Sequence, residues 1–318
     1  MNKDLNFSLY KKMLFYRLVE KEIAKRYSER EMRCPTHLSI GQEAVAAAFS
    51  ELANKKDYAV SSHRAHLHYL AKGGDLKKMI AEIYGKKTGC SKGKGGSMHL
   101  IDINVNFMGS SAIVGNSIPV GTGLALSSKI KNDGKKSFIF FGDGAVEQGV
   151  FYESLNFAVV KKIPAIFVCE NNLYSVYSSL KERQPENRKN YNMARAIGIK
   201  SFSSSGNNVL ECYKNFKKAI QYVEKYKKPV FIEFFTYRHF EHCGPNIDDH
   251  LNYRSPKEIN FWKLKDPLII AKKLLSKKDN QLIEREEKKH LQKIFNAFKF
   301  AKESPKPLKK SIFEDIYA

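Results

Sequence analysis

Apolar and polar positions along this chain fall into blocks of changing period. Residues 5–30 read as a helix. Residues 41–53 (GQEAVAAAFSELA) read as an alanine-rich helix whose small side chains allow close packing. The stretch DYAVSSHRAHLHYLAKGG reads as a short strand, a loop and a helix stopped by Gly73 and Gly74. From 113 onward the pattern becomes regular: helix 117–131, strand 137–141 (SFIFF), helix 148–162, strand 164–169 (PAIFVC), helix 209–227 and strand 230–236 (VFIEFFT). Leu210, Tyr213, Phe216, Ile220 and Val223 recur three or four apart and support the last helix. Short, solidly apolar strands alternating with helices predict an α/β fold, a doubly wound parallel sheet with helices on both faces. The tail from about 257 reads as helical and ends in the basic, proline-containing SPKPLKKS. No repeat or long linker interrupts the chain. The expectation is one domain over 1–318, with an N-terminal helical arm (about 1–35) and a C-terminal helical extension (about 257–318). Residues 85–112 are rich in glycine and serine without a period. A stretch that long inside a compact domain predicts a functional loop.

Charge changes the picture less than its size suggests. Lys and Arg number 55 against 33 Asp and Glu, a formal charge of +22, which invites a nucleic-acid reading. The lysines, however, are spread over polar helix faces, as in YKNFKKAIQYVEKYKK, and no nucleic-acid-binding motif interleaves them. A solvated surface is the expectation, with no nucleic-acid partner. No run of 18 or more apolar residues is present, so no membrane span is expected. The first twenty residues carry charge throughout and lack the apolar core of a signal peptide. Cys34, Cys90, Cys169, Cys212 and Cys243 form no CxxC, which reads as free thiols in a reducing cytoplasm.

Candidate chemistry sits where two of the strands end. The first runs into Gly142-Asp143-Gly144, the next into Asn171-Asn172, with 26 residues between Gly144 and Asn171. In an open parallel sheet, ligands bind beyond the carboxyl ends of the strands. The two glycines let the backbone turn sharply and approach a ligand, and a helix starting near Gln148 directs N–H groups at the same spot, which suits phosphate. Asp143 would repel phosphate alone. A divalent cation between them removes the conflict, and magnesium is the natural one, taking oxygen ligands from a carboxylate, an amide and phosphate. Taken singly, Asp143 reads as a helix cap and the asparagines as a turn. It is the pair, on consecutive strands, that points to a thiamine diphosphate site. Other motifs fail on spacing. GCSKGKG lacks one residue and the Ser/Thr of a Walker loop. His63, His66 and His68 have no cysteine or acidic partner at zinc spacing. DDH at 248–250 reads as a solvated loop.

Over roughly residues 10–275 the chain resembles the alpha subunit of the thiamine-diphosphate-dependent 2-oxo acid dehydrogenases, the decarboxylating component of pyruvate, acetoin and branched-chain complexes. HLSIGQEAV (37–45), SSHRAHLHYLAKGG (61–74), GCSKGKGGSMHL (89–100), SSAIVGNSIPVGTGLAL (110–126) and TYRHFEH (236–242) carry the resemblance. It implies that Asp143, Asn172 and the Tyr174 carbonyl hold Mg2+, and that Gly144 and Ala145 offer backbone N–H groups to the diphosphate. His63 and Arg64 would contact phosphate oxygens, a guanidinium being suited to do so bidentately. Ala112 and Val114 would meet the aminopyrimidine through their backbone. His242, near diphosphate and substrate, and His37, at the entrance, are the candidate catalytic residues.

The resemblance also implies that the chain is incomplete as a catalyst. The glutamate that activates the cofactor belongs in this family to a beta subunit, so an alpha2beta2 heterotetramer is expected, and an acidic beta face is one outlet for the positive charge. The implied reaction is decarboxylation of a 2-oxo acid, pyruvate being the expected one, with the acyl fragment passed to a lipoyl acyltransferase. A second acceptor stays open. After TYR the chain departs from the usual Ser-x-Ser-Asp-Pro loop, and Cys243 replaces a serine that some members phosphorylate, so that control is not expected. His63 stands where many pyruvate-type members have tyrosine. These departures are similar to a branch associated with surface-sugar pathways, in which a ketosugar takes the two-carbon fragment. A non-catalytic basic binding protein is the reading from another class, and the intact Asp143, Asn172 and Arg64 speak against it.

Overall fold

The computed structural model describes residues 3–32 and 34–314. Residues 1, 2, 33 and 315–318, part of the expected arm and extension, lie outside the described residues. In chain order the elements are helices α1 (Lys3–Tyr27) and α2 (Glu43–Leu52), strand β1 (Tyr58–Ser61), helices α3 (His66–Ala71) and α4 (Leu76–Ile83), strand β2 (Phe107–Ser110), helix α5 (Ser117–Lys131), strand β3 (Ser137–Gly142), helix α6 (Gly149–Lys161) and strand β4 (Ala165–Asn171). A two-stranded hairpin, β5 (Tyr174–Ser175) and β6 (Ser178–Ser179), precedes helices α7 (Leu180–Arg183) and α8 (Asn190–Ala196). Strand β7 (Lys200–Ser205), helix α9 (Val209–Tyr226), strand β8 (Val230–Phe235) and helices α10 (Pro256–Leu264), α11 (Pro267–Lys272) and α12 (Lys277–Glu303) complete the chain.

Six strands form one sheet in the order β2-β1-β3-β4-β8-β7, every pairing parallel. The expected doubly wound α/β fold is therefore present. Alternation within each strand splits the core between the two faces. Phe138, Phe140, Ile166 and Val168 point to one side, packed with α1, α2, α4, α9 and α12. Ile139, Phe141, Ala165 and Phe167 point to the other, with α5, α6 and α8. The alanines of α2 are all buried, as their size suggested. Helix α5 lies still closer to the sheet: a Cβ on Gly121 would stand 2.4 Å from the Ile139 side chain and 2.7 Å from that of Val60. Only glycine allows that approach.

Besides the β5–β6 hairpin, two strands of the main sheet were not expected, β2 and β7, and they are its two edges. An edge strand buries little, so FMGS and KSFSSS lack the apolar run that marks β3 and β4. The topology matters for the site. From β1 the sheet grows to β2 on one side, and from β3 to β4 on the other. The crevice at such a reversal, at the carboxyl ends of the strands, is the usual ligand site in this class of sheet.

The loop 85–112 is organised around the buried carboxylate of Glu82. Glu82 Oε2 accepts from the Ser91 and Gly93 N–H groups (2.8 and 2.9 Å), and Oε1 from those of Gly95 and Gly96 (2.7 and 3.1 Å). Its glycines thus serve first to wrap a charged side chain.

Candidate active site

The crevice is occupied by a pocket fed from three strand ends. Ser62, His63 and Arg64 follow β1. Gly142, Asp143, Gly144 and Ala145 stand at the end of β3, and Asn172, Tyr174, Ser175 and Val176 follow β4. Gln42, Val114 and His242 close it. Of the expected site residues, all but His37 and Ala112 line this pocket. His37 lies behind His63 and His242, and Ala112 is set back in the turn before α5.

Asp143 is 1% exposed. Its Oδ1 accepts the Asn172 N–H at 3.2 Å, which ties the two strand ends together. Asn172 Oδ1 accepts the Tyr174 N–H (3.3 Å), and its Nδ2 donates to Gln42 Oε1 (3.3 Å). Asn171 has a different task. Its Nδ2 donates to Glu233 Oε1 (2.8 Å), which also accepts from Asn190 Nδ2 (2.9 Å). The paired asparagines therefore divide into a sheet clamp and a pocket group.

Past Asn172 the backbone turns through Leu173 (φ +74°) and Val176 (φ +54°). A β-branched residue in the left-handed region is strained, and strain of this kind concentrates at functional sites. The turn brings Ser175 over Gly144, where an added Cβ would lie 2.8 Å from Ser175 Oγ. A side chain at 144 would force the two strand tips apart.

One expectation is corrected. The helix after β3 begins at Gly149, not at the pocket mouth, because a 3₁₀ turn spans Asp143–Glu147. The N–H groups at the mouth belong to Gly144 and Ala145 at the start of that turn, where backbone donors lack intrahelical partners. A second correction concerns 248–250. Asp248 is buried, ion-paired with Arg254 and hydrogen-bonded by the Tyr253 hydroxyl (2.6 Å). It anchors the loop after β8, and a solvated loop describes only its neighbours.

Arg183 was not anticipated. Helix α7 opens with a Ser179–Glu182 capping box, the only local signal in the sequence, and presents Arg183 to the pocket floor. Its guanidinium pairs with Asp143 Oδ2 and, at 2.5 Å, with Glu147. Burial pushes the Asp143 carboxyl above its usual range, and Arg183 pulls it back.

Arg64 is buried too. It donates to the carbonyls of Leu38 (2.5 Å) and His242 (3.1 Å), so it braces the pocket wall as well as charging it. Around it stand three imidazoles, with ring centroids 4.5 Å apart for His37–His63, 5.0 Å for His37–His242 and 5.4 Å for His63–His242. Burial first, then Arg64, lowers His63 to about 4 and His242 to about 3. The same causes lower His37 further. All three are neutral near pH 7. His66 and His68 serve the fold: His66 bridges Glu20 and Ser97, and His68 bridges Ser61 and Glu170.

The strand tips suit a magnesium-bound diphosphate. A buried carboxylate, an amide oxygen and a backbone carbonyl are hard oxygen donors. Beside them, Gly144 leaves the backbone bare.

Fold and site define a class, and the comparisons with known proteins name it. Residues 11–310 match the dehydrogenase E1 component family, and the chain belongs to that family, whose members depend on thiamine diphosphate. It is 37% identical to the pyruvate dehydrogenase E1 component subunit alpha of Rickettsia felis over 320 residues, 99% of this chain and 96% of that protein. The Rickettsia bellii protein of the same name is 37% identical over 321 residues, with the same coverage. A chloroplastic subunit alpha-3 from Arabidopsis thaliana is 33% identical over 100% of this chain and 76% of its own length. The chain is thus an enzyme component of the alpha-subunit type, and alpha subunits of this family work with a beta subunit. Among the described residues, no helix is long and apolar enough to cross a membrane.

Proposed function

We propose that this chain is the alpha subunit of a pyruvate dehydrogenase E1 component, holding thiamine diphosphate through Mg2+ at the tips of β3 and β4. The observation that carries the reading is the buried Asp143 carboxylate, hydrogen-bonded to the backbone of Asn172 on the neighbouring strand end. Asp143, Asn172 Oδ1 and the Tyr174 carbonyl would take the metal. Gly144 and Ala145 would donate backbone N–H groups to the diphosphate, and Arg64 and His63 would take its outer oxygens. The Ala112 and Val114 backbone would meet the aminopyrimidine. When bound, the cofactor supplies the carbon nucleophile and the electron sink for decarboxylation. This chain's part is to orient it, to exclude water around a pocket bounded by Val114 and Val176, and to offer neutral His242 and His37 as hydrogen-bonding groups toward substrate.

The partner in this reading is a beta subunit in an alpha2beta2 assembly of the cytoplasm, supplying the activating glutamate, and the acceptor is a lipoyl acyltransferase. The names of the relatives favour pyruvate as the 2-oxo acid. The experiment is reconstitution. Purified alone, the chain should release no CO2 from pyruvate; with its beta subunit, Mg2+ and thiamine diphosphate, it should do so and reductively acetylate a lipoyl domain. Turnover by the isolated chain would refute the two-subunit reading. Decarboxylation without lipoyl acetylation, but with transfer to a ketosugar, would move the acceptor to the sugar branch.

A further inference from the structure

We propose that His37, His63 and His242 form a binding site for one borderline transition-metal dication of the zinc class. The three residues come from the loop before α2, the end of β1 and the loop after β8, and they offer nitrogen atoms that all lie within 4.8 Å of one another. Zinc bound at about 2.0–2.1 Å in tetrahedral geometry holds its nitrogen ligands roughly 3.3–3.4 Å apart. His63 and His242 are only half-buried, so rotation of their side chains can close the difference of up to about 1.5 Å.

His37 supplies an independent reason. It is 6% exposed, and its Nδ1 is buried without a hydrogen-bond partner. Buried polar groups are rarely left so, and those that are call for an explanation. Ligation through Nδ1 would satisfy this nitrogen. Neutral imidazoles, the form kept by burial here, are also the ligating form. The charge nearby sets the character of the site. The positive charge of Arg64 acts on all three rings and that of Arg238 on His242, with Glu20 and Glu170 offsetting Arg64 in part. A dication on three neutral nitrogens beside a guanidinium favours an anion, hydroxide or a carboxylate, in its open fourth position.

Donor type separates this site from the strand tips. Magnesium prefers oxygen and keeps to Asp143 and Asn172, whereas imidazole suits zinc, cobalt and nickel. Because His63, His242, Asp143 and Asn172 line one pocket, a metal on the histidines withdraws two groups from the diphosphate. Zinc is then an inhibitor of cofactor loading, a consequence that rests on the function proposed above. The metal site itself does not.

The test titrates the full chain, in excess Mg2+, with Co2+ followed by visible absorption and with Zn2+ followed by calorimetry. One Co2+ should bind per chain with the spectrum of a four-coordinate nitrogen–oxygen site and be displaced by Zn2+. His63→Tyr and His37→Ala should each weaken Zn2+ by more than the ~10–100-fold typical of losing a residue that merely supports a ligand. Cys243→Ser, which removes the exposed thiol next to His242, and Asp143→Ala should leave it unchanged. No Co2+ spectrum, binding that disappears in Cys243→Ser, or unchanged Zn2+ affinity in a natively melting His63→Tyr would each overturn the site. Should His37→Ala fail to fold, the half-buried His63 still decides the matter. Thiamine diphosphate affinity, read by fluorescence quenching, should fall as Zn2+ fills the site. If the cofactor does not bind even with the beta subunit present, the proposed function fails while the zinc titration still stands.

Discussion

Two walls of one pocket are built in opposite ways. The oxygen-lined wall consists of strand tips. Asp143 directly follows β3, Asn172 follows β4, and the register of two adjacent parallel strands sets their spacing. The nitrogen-lined wall has no such frame. His63 follows the end of β1, but His37 and His242 arrive from loops, and Arg64 fastens those two loops by donating to the Leu38 and His242 carbonyls. The first wall is as rigid as the sheet. The second depends on one buried guanidinium and on rings packed face to edge.

The largest expected effect breaks the first wall. Asp143→Ala should reduce Mg2+-dependent thiamine diphosphate affinity by more than the ~10–100-fold that a supporting residue carries, as measured by calorimetry with and without the metal. The melting temperature should fall too, because the Asn172 N–H and one arm of Arg183 lose their partner, though Arg183 keeps Glu147; a variant that still melts cooperatively is the one to titrate. Unchanged affinity would remove Asp143 from the metal.

Arg64→Ala comes next and touches both walls. Losing a charged hydrogen bond costs about 1.5–3 kcal/mol, so the diphosphate form should bind roughly tenfold to 150-fold more weakly, and free thiamine much less so. A lowered melting temperature should accompany this, since two carbonyls lose their donor. Equal losses for thiamine and its diphosphate would leave Arg64 a brace only.

Acid should separate the walls by sign. His63 titrates at about 4 and His242 at about 3 in the folded chain, against an ordinary 6.5. Below pH 6.5 the unfolded chain therefore takes up protons that the folded chain refuses, and stability is lost as pH falls toward 4. Thermal melts in chelator from pH 7 to 4.5 should show this, and His63→Gln should flatten the slope. An identical slope in the variant would contradict the buried, neutral wall. The smallest effect belongs to Tyr174→Phe. The Tyr174 hydroxyl donates to Glu258 (2.8 Å), and its loss should cost about 1 kcal/mol of stability. Cofactor affinity should hold, because only the backbone carbonyl of Tyr174 serves the metal in this account.

What the sequence disclosed follows the same division. The interior strands β3, β4 and β8 announce themselves because burial on both faces makes them nearly continuous apolar runs, broken inside β8 only by Glu233, whose carboxylate Asn171 and Asn190 satisfy. The residues that end them, Gly142 to Ala145 and Asn172, can then be placed without knowing the fold. Edge strands β2 and β7 carry no such mark, because solvent covers part of them. Helix α4 lies outside the expected elements although Asp75 caps it, accepting from the Lys78 N–H (3.1 Å). Its signal was local and available. Arg183 and the buried Glu82 were invisible for another reason: each gains its role from partners that only folding brings near. The three histidines are the clearest case. Read in sequence, His63 pointed to His66 and His68, and those two turned out to bind Glu20, Ser97, Ser61 and Glu170 instead.

The central claim is that two neighbouring strand tips clasp one magnesium ion on a diphosphate. The direct measurement is a crystal structure of the chain with Mg2+ and thiamine diphosphate. The account predicts the ion at about 2.0–2.1 Å from Asp143, from Asn172 Oδ1 and from the Tyr174 carbonyl oxygen, with diphosphate oxygens completing its shell. A diphosphate bound elsewhere, with Asp143 and Asn172 contacting neither metal nor phosphate, would contradict it.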